Sequence, residues 1–114
     1  MIEQTIKEYL EQKIQVPAVL EVPAKPPNQF LLIERTGGGA GQLLCSPMIA
    51  IQSYGASLLE AAQLNERVKT AMEQLAELDQ ICSVKLNTDY NFTNPATKQY
   101  RYQAVFDITH YKEE

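Results

Sequence analysis

The residues able to do chemistry are few: a single histidine, His110, and two cysteines, Cys45 and Cys82. His110 could act as a general base, but a base needs a nucleophile beside it. Gly55-Ala-Ser57 begins like an esterase elbow and then lacks its second glycine. Ser57 is followed three positions later by Glu60, the pattern with which a helix start satisfies its free backbone donors. Ser57 is therefore read as a helix cap and His110 as an ordinary exposed or half-buried side chain. The cysteines lie 37 positions apart among apolar neighbours, which reads as buried free thiols of a reducing compartment. Sequence leaves a disulfide between them open. A metal site would need both thiols, His110 and a carboxylate to converge, and no CxxC or HxxxH pair supplies the usual ligand spacing. The glycine cluster at residues 37–41 ends in Gln42-Leu43, so it has neither the Lys-Ser/Thr end of a phosphate loop nor the helix that must follow. The expectation is no catalytic residue, no cofactor and no metal.

The charge balance points the same way. Ten basic residues stand against 14 acidic ones, a net of −4. The Lys and Arg residues are scattered singly, so no basic stripe marks a phosphate-binding face. No apolar run approaches the ~20 residues of a membrane span. The start, Met1-Ile2-Glu3-Gln4, lacks the pattern of a secretion signal.

The elements that must carry any site follow from periodicity. Ile2, Ile6, Tyr9, Leu10 and Ile14 recur at helical spacing, and Pro17 ends that helix, near Lys13. Residues 17–22 read as a short strand and residues 30–36 as a second. Residues 36–42 read as a flexible loop tip. It is either a mobile connection or a loop that orders on contact with a partner subunit. Residues 43–54 form a third strand, with a bulge or bend expected at Ser46-Pro47. Met48, Ala50, Gln52 and Tyr54 are placed on one face, Ile49, Ile51 and Ser53 on the other. A second helix begins at Ser57 and ends near Leu78, with a stripe of Leu64, Val68, Ala71, Met72, Leu75 and Leu78. Residues 82–90 are a fourth strand, with Val84, Leu86 and Thr88 opposite Lys85, Asn87 and Asp89. Residues 91–99 are a loop. Residues 100–111 are the fifth strand, with Tyr100, Tyr102, Ala104, Phe106 and Ile108 opposite Arg101, Gln103, Val105, Asp107 and Thr109. Residues 112–114 read as a frayed tail. The tyrosines at 54, 90, 100, 102 and 111 suit a sheet surface or a subunit interface. The expected fold is one α+β domain over residues 1–114, order α-β-β-β-α-β-β. About five strands form a mostly antiparallel or mixed sheet with two helices packed on it.

Three segments together resemble a known family. They are Pro27-Asn-Gln-Phe-Leu-Leu-Ile-Glu-Arg-Thr-Gly-Gly38, a proline-led strand into a Thr-Gly-Gly turn; Ile49-Ala-Ile-Gln-Ser-Tyr-Gly-Ala-Ser57, feeding the long helix; and Asn94-Pro-Ala-Thr-Lys-Gln-Tyr-Arg-Tyr102, opening the closing strand. The chain resembles, over residues 2–111, the tail terminator (tail completion) proteins of long-tailed bacteriophages and prophages. The resemblance implies a non-enzymatic structural role in the virion, after assembly in the host cytoplasm. Such proteins form a hexameric ring at the head-proximal end of the tail tube. The ring stops tube polymerisation and meets the head connector. Its partners are then copies of itself, the tail tube protein and the connector protein, with genome DNA passing through unread. The family brings no active site. The candidate interface residues are Arg35, Thr36, Gly37, Gly38, Gly39 and Gln42 in the first loop, and Asn91, Phe92, Asn94 and Lys98 in the second. The alternatives are another phage neck protein (head–tail joining, head-closure or minor capsid) and, from a different class, a small α+β enzyme or ligand-binding domain.

Overall fold

The computed structural model describes residues 1–112, so the predicted tail, apart from Lys112, lies outside the described residues. Helix α1 spans Ile2–Ile14, one residue past the expected end. Gln15 closes it in the left-handed conformation (φ 62°), returning its N–H to Glu11 O at 2.9 Å. Strand β1 is only Ala18–Val19. Leu20 and Val22, expected to extend it, are exposed, and prolines 23, 26 and 27 turn the chain through residues 20–29. Strands β2 (Phe30–Ala40) and β3 (Leu44–Tyr54) form a hairpin. Helix α2 (Leu58–Glu73) follows, and a short 3₁₀ turn carries the chain to β4 (Ile81–Asn91) and β5 (Arg101–Tyr111). The α+β order is as expected. The sheet runs β1-β2-β3-β5-β4 and is mixed, because β1 lies parallel to β2 while the other pairs are antiparallel.

Both helices cover one face. Ile6 and Leu10 of α1, Leu64, Val68 and Met72 of α2, and Leu75 pack on Leu31, Ile33, Ile49, Ile51, Phe106 and Ile108 of the sheet. Fully burying a side chain of this size contributes roughly 1.5–3 kcal/mol, so this layer dominates the stability. Ser57 caps α2 as expected, accepting from Glu60 N at 3.1 Å. Polar contacts then fix how the helices sit. Tyr9 Oη donates to Ala71 O at 2.8 Å, and Arg67 Nη2 donates to Ile14 O at 2.6 Å, capping α1. Buried Asn65 donates to Asp89 Oδ2 at 2.9 Å. Lys69 reaches the same oxygen at 3.0 Å and ties α2 to β4.

Bulges account for where the strand pattern departs from strict alternation. On β3 it holds: Ile49 and Ile51 face the helices, while Gln52 and Tyr54 lie on the open side. The expected break at Ser46-Pro47 does not occur in β3, and the irregularity falls across the ladder, at Thr36 of β2. On β4 the register shifts at Cys82 and again at Asn87. The extra residue reverses the phase. Thr88 therefore opposes Val105 on the open face, and Asp89, beside Ala104, turns toward the helices.

Candidate subunit and partner interface

The first predicted loop is mostly strand. Thr36 through Ala40 belong to β2, with Gly37, Gly38 and Gly39 opposite Met48, Pro47 and Ser46. The composition that suggested a loop serves a close approach instead. At Gly38, φ is +111° and an added Cβ would sit 2.3 Å from Ser46 O and 2.5 Å from Pro47 Cα. Only glycine fits a positive φ beside backbone that near. The true turn is residues 41–43, closed by Gly41 N donating to Leu44 O at 2.7 Å. Gln42 and Leu43 form its tip, and Leu43 is 77% exposed.

This hairpin also presents a free edge. β1 pairs only with Leu31 and Leu32, so among the described residues no strand pairs with β2 from Ile33 to Ala40 on its outer side. From Glu34 onward its side chains are exposed. Arg35 Nε reaches Gly37 O at 3.4 Å and Thr36 Oγ1 reaches Met48 O at 3.4 Å; each meets its partner at the outer limit of hydrogen-bonding distance. Natural proteins blunt such edges with bulges and charges. The opposite edge, β4, has Lys85 and two bulges. The β2 edge has one bulge and then three glycines.

The second loop, expected over residues 91–99, spans residues 92–100 between β4 and β5 and is tied down by its own side chains. Asn91 Oδ1 accepts from Thr93 N at 3.0 Å, and Asn94 Oδ1 accepts from Ala96 N at 3.0 Å. Phe92 N donates to Arg101 O at 2.9 Å. Lys98 adopts φ 52° at the turn before the Asn94–Gln99 bridge. Phe92 stays 38% exposed, its ring edge-on to Tyr90 with centroids 5.8 Å apart.

Arg101, which sequence reasoning did not single out, organises this end. Its guanidinium lies 4.5 Å from the Phe92 ring centroid, donates to Phe92 O at 2.7 Å and to Tyr54 Oη at 3.0 Å. Tyr54 stacks on Phe30 (centroids 4.3 Å apart) and donates to Gln52 Oε1 at 2.8 Å. Gln52 in turn donates to Glu34 at 3.3 Å and to Gln103 at 3.0 Å, and Gln103 donates to Tyr90 Oη. The open face thus carries a continuous hydrogen-bonded band across four strands. Its signal was the alternation itself, which sets Gln52, Tyr54, Arg101 and Gln103 on the face opposite the apolar residues.

The two predicted loops do not meet. β2 runs toward the tip at 41–43 and β3 returns from it, while β5 starts beside Tyr54 and ends beside Leu44. The tips therefore lie at opposite ends of the sheet, in a molecule measuring 43 × 25 × 25 Å.

The cysteines and histidine also differ from expectation. Cys45 is half-buried and Cys82 exposed, rather than both buried, and His110 is buried. Cys45 opposes His110, which opposes Ile81 beside Cys82. Two strand spacings separate the thiols by about 10 Å, beyond the ~7 Å Cα limit of a disulfide. Both are free thiols. Among the described residues no three His, Cys, Asp or Glu side chains gather where they could hold a metal ion. Among them, too, no helix is long and apolar enough to cross a membrane. No protein-family model matches the chain, and no curated protein matches it.

Proposed function

We propose that this chain is a non-enzymatic virion assembly protein of the phage tail terminator kind. It forms a homohexameric ring on the head-proximal end of the tail tube, ends tube growth and joins the tail to the head connector. The observation that most supports this reading is the separation of two unlike ends on one elongated domain. One end is a glycine-rich hairpin with an unpaired edge and a Leu43 tip, and the other is an ordered aromatic loop around Phe92. A ring subunit must meet two identical neighbours through different surfaces, and a joining protein must also meet different partners above and below. In this reading the β2 edge and its Arg35–Gly39 stretch meet a neighbouring subunit, and the Asn91–Lys98 loop faces the tube or connector. A net charge of −4 suits a channel through which DNA passes without being gripped.

Native mass spectrometry over a concentration series, with negative-stain imaging, tests this. Rings of six subunits are expected, either free or on purified tail tubes. A chain that stays monomeric at all concentrations and does not bind tubes would refute the terminator role. The two-ended shape equally serves a neck protein on the head side, and binding to purified connectors but not to tubes would select that reading.

A further inference from the structure

Cys45 and His110 sit directly across from each other on β3 and β5. Opposed residues of antiparallel strands have Cβ atoms about 4.5–5.5 Å apart. Both line a cavity of about 220 Å³ at the hairpin end of the helix-covered face, with Arg35, Lys112 and Glu3 around it. The histidine is 5% exposed, and its Nδ1 lies 2.7 Å from Tyr111 O. A carbonyl only accepts, so Nδ1 carries a proton, and in the neutral ring Nε2 holds the free lone pair. No other hydrogen bond to this ring occurs among the described residues. Cys45 is accessible but sheltered, whereas Cys82 lies on the outer edge strand, away from this cavity.

We propose that this pocket is a thiol-modification site that exchanges with small anionic disulfides of the glutathione class. Cys45 passes its proton across the pocket to His110 Nε2, to which no hydrogen bond joins it at rest among the described residues, and Sγ attacks one sulfur of the incoming disulfide. That S–S bond breaks as the new one forms, and the departing thiolate recovers the proton from the imidazolium. One disulfide replaces another, so no further oxidant is needed. Among the described residues lining the pocket, Arg35 and Lys112 stand against one carboxylate, Glu3, and favour a partner carrying carboxylates. This inference stands apart from the assembly role.

The test treats the full chain with oxidised glutathione and follows each cysteine by intact mass and peptide mapping. Cys82, the more exposed thiol, is the internal control. Cys45 is expected to be modified about tenfold faster than Cys82, because local chemistry outweighs exposure. His110→Gln should slow Cys45 about tenfold and leave Cys82 unchanged. Arg35→Gln, a surface change that leaves the core intact, should abolish the preference of Cys45 for oxidised glutathione over neutral hydroxyethyl disulfide. Faster reaction at Cys82, or no preference for the anionic disulfide in the parent protein, would overturn the proposal. So would a His110→Gln protein that stays folded and reacts at the parental rate.

Discussion

The β2–β3 and β4–β5 hairpins are built from strands of 11 residues each, yet they end in opposite ways. The first is held past Arg35 by its main-chain ladder and two long side-chain bonds, with an apolar residue at its tip. The second folds its loop around Arg101 and fixes it with two Asn side chains and Thr93. An interface drawn from the second meets its partner already shaped. An interface drawn from the first meets its partner through the exposed, unpaired edge of β2 instead. The lesson is that glycine and asparagine, both read as loop formers, here mean different things. The glycines let two backbones touch; the asparagines build turns.

The largest break in this comparison removes the common floor. Leu75→Asp places a charge in the apolar layer under both hairpins. It should cost more than about 4 kcal/mol and abolish the cooperative thermal transition; a parental melt would show that the helices are not needed for either hairpin. Next, Gly38→Ala should cost about 1–3 kcal/mol through its clash with Ser46 and Pro47. Gly39→Ala, with nothing within 4 Å of its new Cβ, should stay within about 0.5 kcal/mol in a urea titration. Equal effects at the two glycines would return this segment to a loop.

Arg101→Ala should cost about 1–2 kcal/mol. Hydrogen exchange should quicken at residues 92–100 and stay unchanged at 36–44; changes at both ends would mean the hairpins are coupled. The smallest effect spares both tips and loosens α1 from β1. Glu11 accepts from Lys7 Nζ at 2.8 Å and from Ala18 N at 3.1 Å. The Lys7 hydrogen bond holds its carboxyl below the ordinary value of 4.5; burial opposes this, and the Ala18 N–H adds to the lowering. The stability Glu11 contributes is therefore complete above about 4.5 and lost as pH falls through the folded-state value. Glu11→Gln should flatten that part of an acid stability profile, and an unchanged profile would place the acid sensitivity elsewhere.

The element order was legible because α1, α2 and β5 carry long, clean periodicities and Ser57 marks a helix start. The expected shared face of Arg101, Gln103, Val105, Asp107 and Thr109 holds along β5, and it is the one away from the helices. What escaped was set by partners distant in sequence. β2 extends through its glycines because Ser46-Pro47 lies alongside, and no local propensity reports that. The β4 bulges reverse a pattern that looks regular in isolation. Cys45 and His110, 65 positions apart, become neighbours only through the β3–β5 register. The candidate interface residues fall on two hairpins, and their spacing in the chain carries no sign that these point to opposite ends.

The β3–β5 ladder joins those hairpins, and it has a consequence for how the chain reaches its fold. Each hairpin closes over a short stretch, whereas the nearest pair across the seam, Tyr54 and Arg101, is separated by 101 − 54 = 47 positions. Non-local pairing of this kind is the slow step in forming a sheet. On this topology the expected order of folding is two small units first and one late weld, with α2 as the strap between them. Substitutions in the weld, such as Ala50 or Val105, should therefore slow folding, as a stopped-flow refolding rate would show.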